Sequence, residues 1–94
     1  MASRELERIR NAVLEYRYTL TEHAAEEMNE DHLDVLDVES AILTGRIEQT
    51  LTHDPRGRRY VIVGQATDQN TRVGVVVRFV RGDDLLVLTI YELK

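Results

Sequence analysis

The chain has 94 residues, of which 43% are hydrophobic and 31% charged, and it contains no cysteine. This length suits one hydrophobic core, so we expect a single domain over residues 1–94. The composition excludes a disordered chain, and no apolar run approaches the roughly 18–20 residues that cross a bilayer, so we expect no membrane partner. Because the sequence has neither cysteine nor an N-terminal secretory signal, we expect a cytoplasmic protein.

The net charge of −5 is unevenly distributed along the chain. Residues 1–54 contain five Arg and thirteen acidic residues, which gives −8, whereas residues 55–94 contain six Arg, one Lys and four acidic residues, which gives +3. Basic side chains that neutralise phosphates supply most sequence-independent affinity for nucleic acid, so the basic half could face phosphate. The alternative is that these charges only solvate strand faces and protect sheet edges.

Residues 1–45 are predicted to be helical, beginning with a helix that Ser3 caps. Its apolar residues recur at steps of three and four and predict one core-facing side: Leu6, Ile9, Val13 and Tyr16. A short extended piece follows over residues 18–20. Thr21 then caps a second helix, whose inward-facing residues are Ala24, Ala25 and Met28.

A third helix is predicted to begin after Asp34, which forms a near capping box with Asp37 three residues later. Its core-facing residues are Val35, Val38, Ala41 and Ile42. Gly45 is predicted to follow the last turn in the left-handed conformation that glycine tolerates.

From residue 46 onward the pattern changes to that of β-strands, with β-branched residues accumulating. Four strands are predicted, over residues 47–52, 59–66, 72–80 and 85–93. The short, turn-rich connections between them favour antiparallel hairpins. The predicted fold class is therefore α+β, with N-terminal helices packed on a four-stranded antiparallel sheet.

The two middle strands are apolar at consecutive positions, over residues 60–63 and 73–77. This pattern predicts strands that are covered on both faces or closed by a partner. The helices account for one face. The other face is therefore a candidate for oligomerisation, partner binding or a substrate groove.

No complete catalytic or metal-binding motif occurs in the sequence. The histidines match no zinc signature, and the glycines form no phosphate-binding loop. His23 and Glu27 share a helical face, so the carboxylate could orient the imidazole for catalysis or join it as a metal ligand, unless the two form a plain ion pair. Tyr91 lies beside Thr89 on the last strand, either as a sheet aromatic or as a functional group.

Three segments carry a family resemblance: YTLTEHAAEEM at 18–28, LDVLDVESAILTG at 33–45 and LTIY at 88–91. In this order they resemble domain-of-unknown-function family 4258, over about residues 16–93. That family looks related to the RelE and BrnT toxins of bacterial toxin–antitoxin pairs, which are small metal-independent endoribonucleases. The resemblance implies a RelE/BrnT-like fold, RNA cleavage by 2′-hydroxyl attack without cofactor or metal, and a cognate antitoxin protein as partner.

The resemblance also suggests roles for individual residues. His23 would be the general acid or base, and Tyr91 would donate a proton or stack on a base. Arg59 and Arg78, on the strands, would bind phosphate, and Thr89 is a third predicted RNA-binding residue.

The sequence departs from the family pattern at Glu27 and Asp31, where the family commonly has Arg. Two anions beside His23 would repel phosphate. This repulsion favours a second hypothesis, in which the protein is a non-catalytic module with the toxin fold. Such a module would bind a partner protein or form a homodimer. A third is an enzyme acting on a small molecule or metal through His23 and Glu27.

Overall fold

The computed structural model describes residues 3–94, which form three helices and five strands. Their bounds are α1 (Arg4–Leu14), β1 (Tyr18–Leu20), α2 (Glu22–Glu30), α3 (Val35–Thr44), β2 (Arg46–Leu51), β3 (Arg59–Gln65), β4 (Arg72–Val80) and β5 (Asp84–Leu93). The protein is α+β, as the sequence predicts. Of the helices in this described range, none is long and apolar enough to span a bilayer.

The sheet has the order β1-β5-β4-β3-β2 and is mixed. Strands β2 to β5 pair antiparallel, but the predicted four-stranded antiparallel sheet omits β1, which pairs parallel with β5. Flanking bonds fix this pairing: Leu85 N–H donates to the Arg17 carbonyl at 2.9 Å, and Thr21 N–H donates to the Val87 carbonyl at 3.0 Å. The sequence predicted only an extended piece over residues 18–20, because β5, the strand with which β1 pairs, lies far away along the chain.

Side-chain caps begin all three helices, as predicted. The Ser3 side chain accepts from Leu6 N–H at 3.1 Å, and the Thr21 side chain accepts from Ala24 N–H at 3.0 Å. At α3, Asp34 and Asp37 form a full capping box with two bonds of 3.1 Å. These local bonds satisfy N–H groups that a helix start leaves without partners.

The first helix is shorter than predicted. It ends at Leu14, and Tyr16 takes a left-handed conformation with φ 57°. Tyr16 is 80% exposed, so its predicted place in the core is wrong. The other residues of that stripe, Leu6, Ile9 and Val13, are buried as predicted.

The end of α3 packs backbone against backbone on β3. Gly45 is extended, with φ −92° and ψ −173°, so its predicted left-handed conformation is wrong. A Cβ on Gly45 would lie 2.4 Å from the Val63 carbonyl oxygen, and one on Gly64 would lie 2.0 Å from the Ala41 carbonyl oxygen. Glycine is needed here for close approach rather than for an unusual φ.

The helices cover one face of the sheet and form the core with it. The main contributors are Ile9, Ala12, Val13, Ala24, Val38, Ala41 and Ile42 from the helices, and Tyr60, Ile62, Val73, Val75, Val77, Leu85, Val87 and Ile90 from the strands. Since strand side chains alternate between faces, the intervening residues point the other way. We call this side of β3 to β5 the open face; it carries Arg59, Val61, Val63, Gln65, Arg72, Gly74, Val76, Arg78, Val80, Asp84, Leu86, Thr89, Tyr91 and Leu93.

Candidate functional site

Two arginines lie directly opposite each other on the open face. Arg59 of β3 and Arg78 of β4 are cross-strand partners in the sheet register. The Nε atoms of both side chains are buried and have no hydrogen-bond partner among residues 3–94. Like charges placed opposite each other destabilise a strand pair, and a buried donor without an acceptor adds to that cost. The pair is therefore a local concentration of positive charge, whose repulsion a bound anion would relieve.

Asp54, in the turn between β2 and β3, provides part of the counter-charge. Its Oδ2 atom lies 3.6 Å from Arg59 Nε, and its side chain is only 4% exposed. The same carboxylate accepts from Arg56 N–H at 2.9 Å and from Arg56 Nε at 3.1 Å, and these bonds lower the pKa of Asp54. Asp54 thus stays ionised beside Arg59, while Arg78 forms no salt bridge within the described residues.

Tyr91 crosses the open face toward the middle of the sheet. It is the cross-strand partner of Gly74 on β4, and a Cβ on Gly74 would lie 2.2 Å from Tyr91 Cζ and 2.6 Å from its hydroxyl oxygen. The hydroxyl end of the ring therefore lies over Gly74, in space that a larger residue would fill. Sequence reasoning missed Gly74, because a glycine opposite an aromatic becomes a signal only once the strand register is known.

The register places the predicted RNA-binding residues on one face with Tyr91. Thr89 pairs with Val76, and Arg78 lies two residues further along the same strand. Arg59, Arg78, Thr89 and Tyr91 therefore share the open face. Together they offer cations, two hydroxyls and an aromatic ring, which are the groups that bind phosphates, sugars and bases.

His23 lies elsewhere. Its side chain is 70% exposed in the first turn of α2, and Nε2 lies 3.4 Å from Oε1 of Glu27. That carboxylate also accepts from Ile90 N–H at 3.2 Å, at the outer edge of β5. Tyr91 extends over β4, away from this edge, so the structure does not bring His23 and Tyr91 together.

Glu27 and Asp31 both bond to the backbone at the edge of the sheet. Glu27 accepts from Ile90 N–H, and Asp31 accepts from Glu92 N–H at 2.9 Å. Residues four apart on a helix and two apart on a strand have similar spacings of about 6 Å, so α2 can satisfy alternate N–H groups of β5. These carboxylates accept hydrogen bonds from the β5 backbone and do not lie on the open face.

The described residues do not bring a metal-binding cluster together. Across residues 3–94, no three His, Asp or Glu side chains gather closely enough to hold a metal ion. The chemistry that this part of the chain offers on the open face is hydrogen bonding and positive charge.

The fold and the site define a small α+β protein whose sheet has one face covered by helices and one basic, partly apolar face left open. The model of a family described as Domain of unknown function (DUF4258) matches residues 20–92, and the chain belongs to that family. No match was found among curated proteins, and none among solved structures.

Proposed function

We propose that the protein binds single-stranded RNA on its open face without cleaving it. The observation that carries this proposal is the Arg59–Arg78 pair, with two buried Nε donors that lack partners within residues 3–94. A phosphate between the two guanidinium groups would relieve their repulsion and accept from both.

The rest of the open face suits a single strand better than a duplex. An uncovered sheet with an aromatic side chain lets unpaired bases stack while arginines follow the backbone. Tyr91 supplies the ring, and Thr89 supplies a hydroxyl that can donate to or accept from a ribose 2′-hydroxyl. Arg72 adds a third cation on the same face, against Asp84 at its corner and Asp54 beside Arg59.

Cleavage of RNA is the second candidate. The resemblance to RelE and BrnT toxins supports it, as does the position of the Tyr91 hydroxyl on the same face as both arginines. There, arginines would stabilise charge on the phosphate and the tyrosine would protonate the leaving 5′-oxygen. The step also needs a base for the 2′-hydroxyl, and His23 lies at the far edge of β5, so we rank binding first. If the protein is a ribonuclease, a cognate antitoxin or a second copy of the chain would be the partner that covers the open face.

The binding test uses fluorescence polarisation with a short fluorescein-labelled oligouridine. Arg59→Gln and Arg78→Gln should each weaken binding about tenfold, since a charge-assisted hydrogen bond contributes about 1.5–3 kcal/mol. Arg4→Gln, an exposed arginine on α1, is the matched control and should bind as the wild type does. Equal affinity for all four proteins would refute the proposal.

A parallel incubation of RNA in chelator separates the two candidates. Binding alone leaves the RNA intact with wild type, Tyr91→Phe and His23→Ala. Cleavage by the wild type that disappears in Tyr91→Phe, with circular dichroism unchanged, would establish the ribonuclease instead.

A further inference from the structure

The two edges of the sheet differ in whether their outward backbone groups have hydrogen-bond partners. At one edge β1 has only three residues, and beyond it α2 satisfies β5 through Glu27 and Asp31. At the other edge β2 has six residues. No turn, loop or side-chain hydrogen bond within residues 3–94 involves a backbone group of Arg46–Leu51. The outward N–H and C=O groups of β2 are therefore available to another strand, in two short stretches on either side of the register shift between Ile47 and Gln49.

Open grooves lie on both sides of this edge. On the helix side, a groove of about 700 Å³ is lined by Arg10, Arg46, Ile47, Thr50, Arg58 and Tyr60, with Glu5 as its one acid. On the other side, a groove of about 440 Å³ is lined by Arg46, Glu48, Gln65 and Arg72 among others. A strand added to β2 would send alternate side chains into these two grooves.

The grooves carry more positive than negative charge. On the helix side three arginines face one glutamate, and on the other side two arginines face one. Arg46 and Arg58 form no salt bridge within residues 3–94. Tyr60 is 6% exposed, and its hydroxyl, which makes no hydrogen bond in that part of the chain, can donate to a carboxylate. The charge pattern selects an acidic partner.

We propose that the β2 edge binds an acidic, extended segment of another protein as a sixth strand. Main-chain bonds to β2 would supply affinity, and carboxylates in the two grooves would supply selectivity. A second copy fits less well, because its own β2 carries one Arg and one Glu and so brings no net negative charge. This site does not include the open-face pair Arg59 and Arg78, although its second groove shares Arg72 with the open face.

The probe is a labelled peptide of about eight residues in which pairs of threonines alternate with pairs of glutamates, so that carboxylates face both grooves; this length matches an ordinary strand. Arg46→Glu and Arg58→Glu should each weaken its binding at least about tenfold and should gain affinity for the matching threonine–lysine peptide. Arg81→Glu, an exposed residue in the β4–β5 turn, changes the net charge equally and should leave binding unchanged. Arg59→Gln should also leave it unchanged, which separates this proposal from RNA binding.

A peptide with the same side chains but with every backbone nitrogen N-methylated tests strand pairing itself, because neither of its edges can then donate to β2. It should lose binding, and NMR shift changes caused by the unmodified peptide should centre on the amides of residues 46–51. Equal binding of the N-methylated peptide would overturn the proposal, since charge alone would then explain the affinity. No binding of either peptide, or a wild-type dimer that already occupies the β2 edge, would overturn it as well.

Discussion

At the scale of single residues, the open face contains a conflict that stability alone does not explain. Arg59 and Arg78 repel each other across neighbouring strands, and their Nε donors find no acceptor in residues 3–94. Asp54 compensates Arg59 in part, at 3.6 Å. Proteins retain such locally unfavourable arrangements mainly where a ligand makes use of them.

This conflict predicts opposite effects on stability and binding for Arg78→Met. Methionine keeps an unbranched apolar stem but removes the charge, so the free energy of unfolding should rise by about 0.5–1 kcal/mol. Affinity for RNA should fall at the same time. Urea denaturation and fluorescence polarisation measure the two quantities, with Arg4→Met as the control. A loss of stability in Arg78→Met would show that the arginine is structural.

At the scale of elements, α2 completes the edge of β5. Removing either carboxylate leaves a strand N–H without its acceptor, so Glu27→Ala and Asp31→Ala should each lower the free energy of unfolding by about 1–2 kcal/mol. Glu26→Ala, an exposed acid on the same helix, should change it little. Thermal or urea unfolding checks this.

The same variants decide between two roles for these acids. RNA affinity should be equal in Glu27→Ala and Glu26→Ala, because neither side chain lies on the open face. A clear gain in affinity confined to Glu27→Ala would instead support phosphate repulsion, as the sequence pattern suggested.

The elements also show how far sequence reasoning reaches. The caps at Ser3, Thr21 and Asp34 were predicted, because each depends on residues at most three positions apart. The pairing of β1 with β5 and the position of Tyr91 over Gly74 were not, because both depend on register between distant segments. Local chemistry is readable from one sequence, whereas a contact that the fold creates is not.

At the scale of the whole molecule, an acidic protein of net charge −5 carries a basic sheet face. Distant acids should limit affinity for RNA, so binding should rest on the few contacts of the open face. With Arg59, Arg72 and Arg78 as the phosphate contacts, the logarithm of the binding constant should fall with the logarithm of salt concentration at a slope of about −2.

The salt slope is measured by repeating the polarisation titration over about a fivefold range of salt. Arg78→Gln should make the slope shallower by about 0.7, the amount expected for one phosphate contact with a single strand. A slope near zero would mean that binding does not use phosphates.

The contact between α2 and β5 also determines which parts of the molecule unfold locally as one unit. The amides of Ile90 and Glu92 are held by side chains of the helix rather than by another strand. These two amides should therefore exchange when α2 undocks from the sheet, whereas amides in β3 and β4 should exchange only on global unfolding. The end of the last strand would then belong to the same opening unit as a helix near the start of the chain.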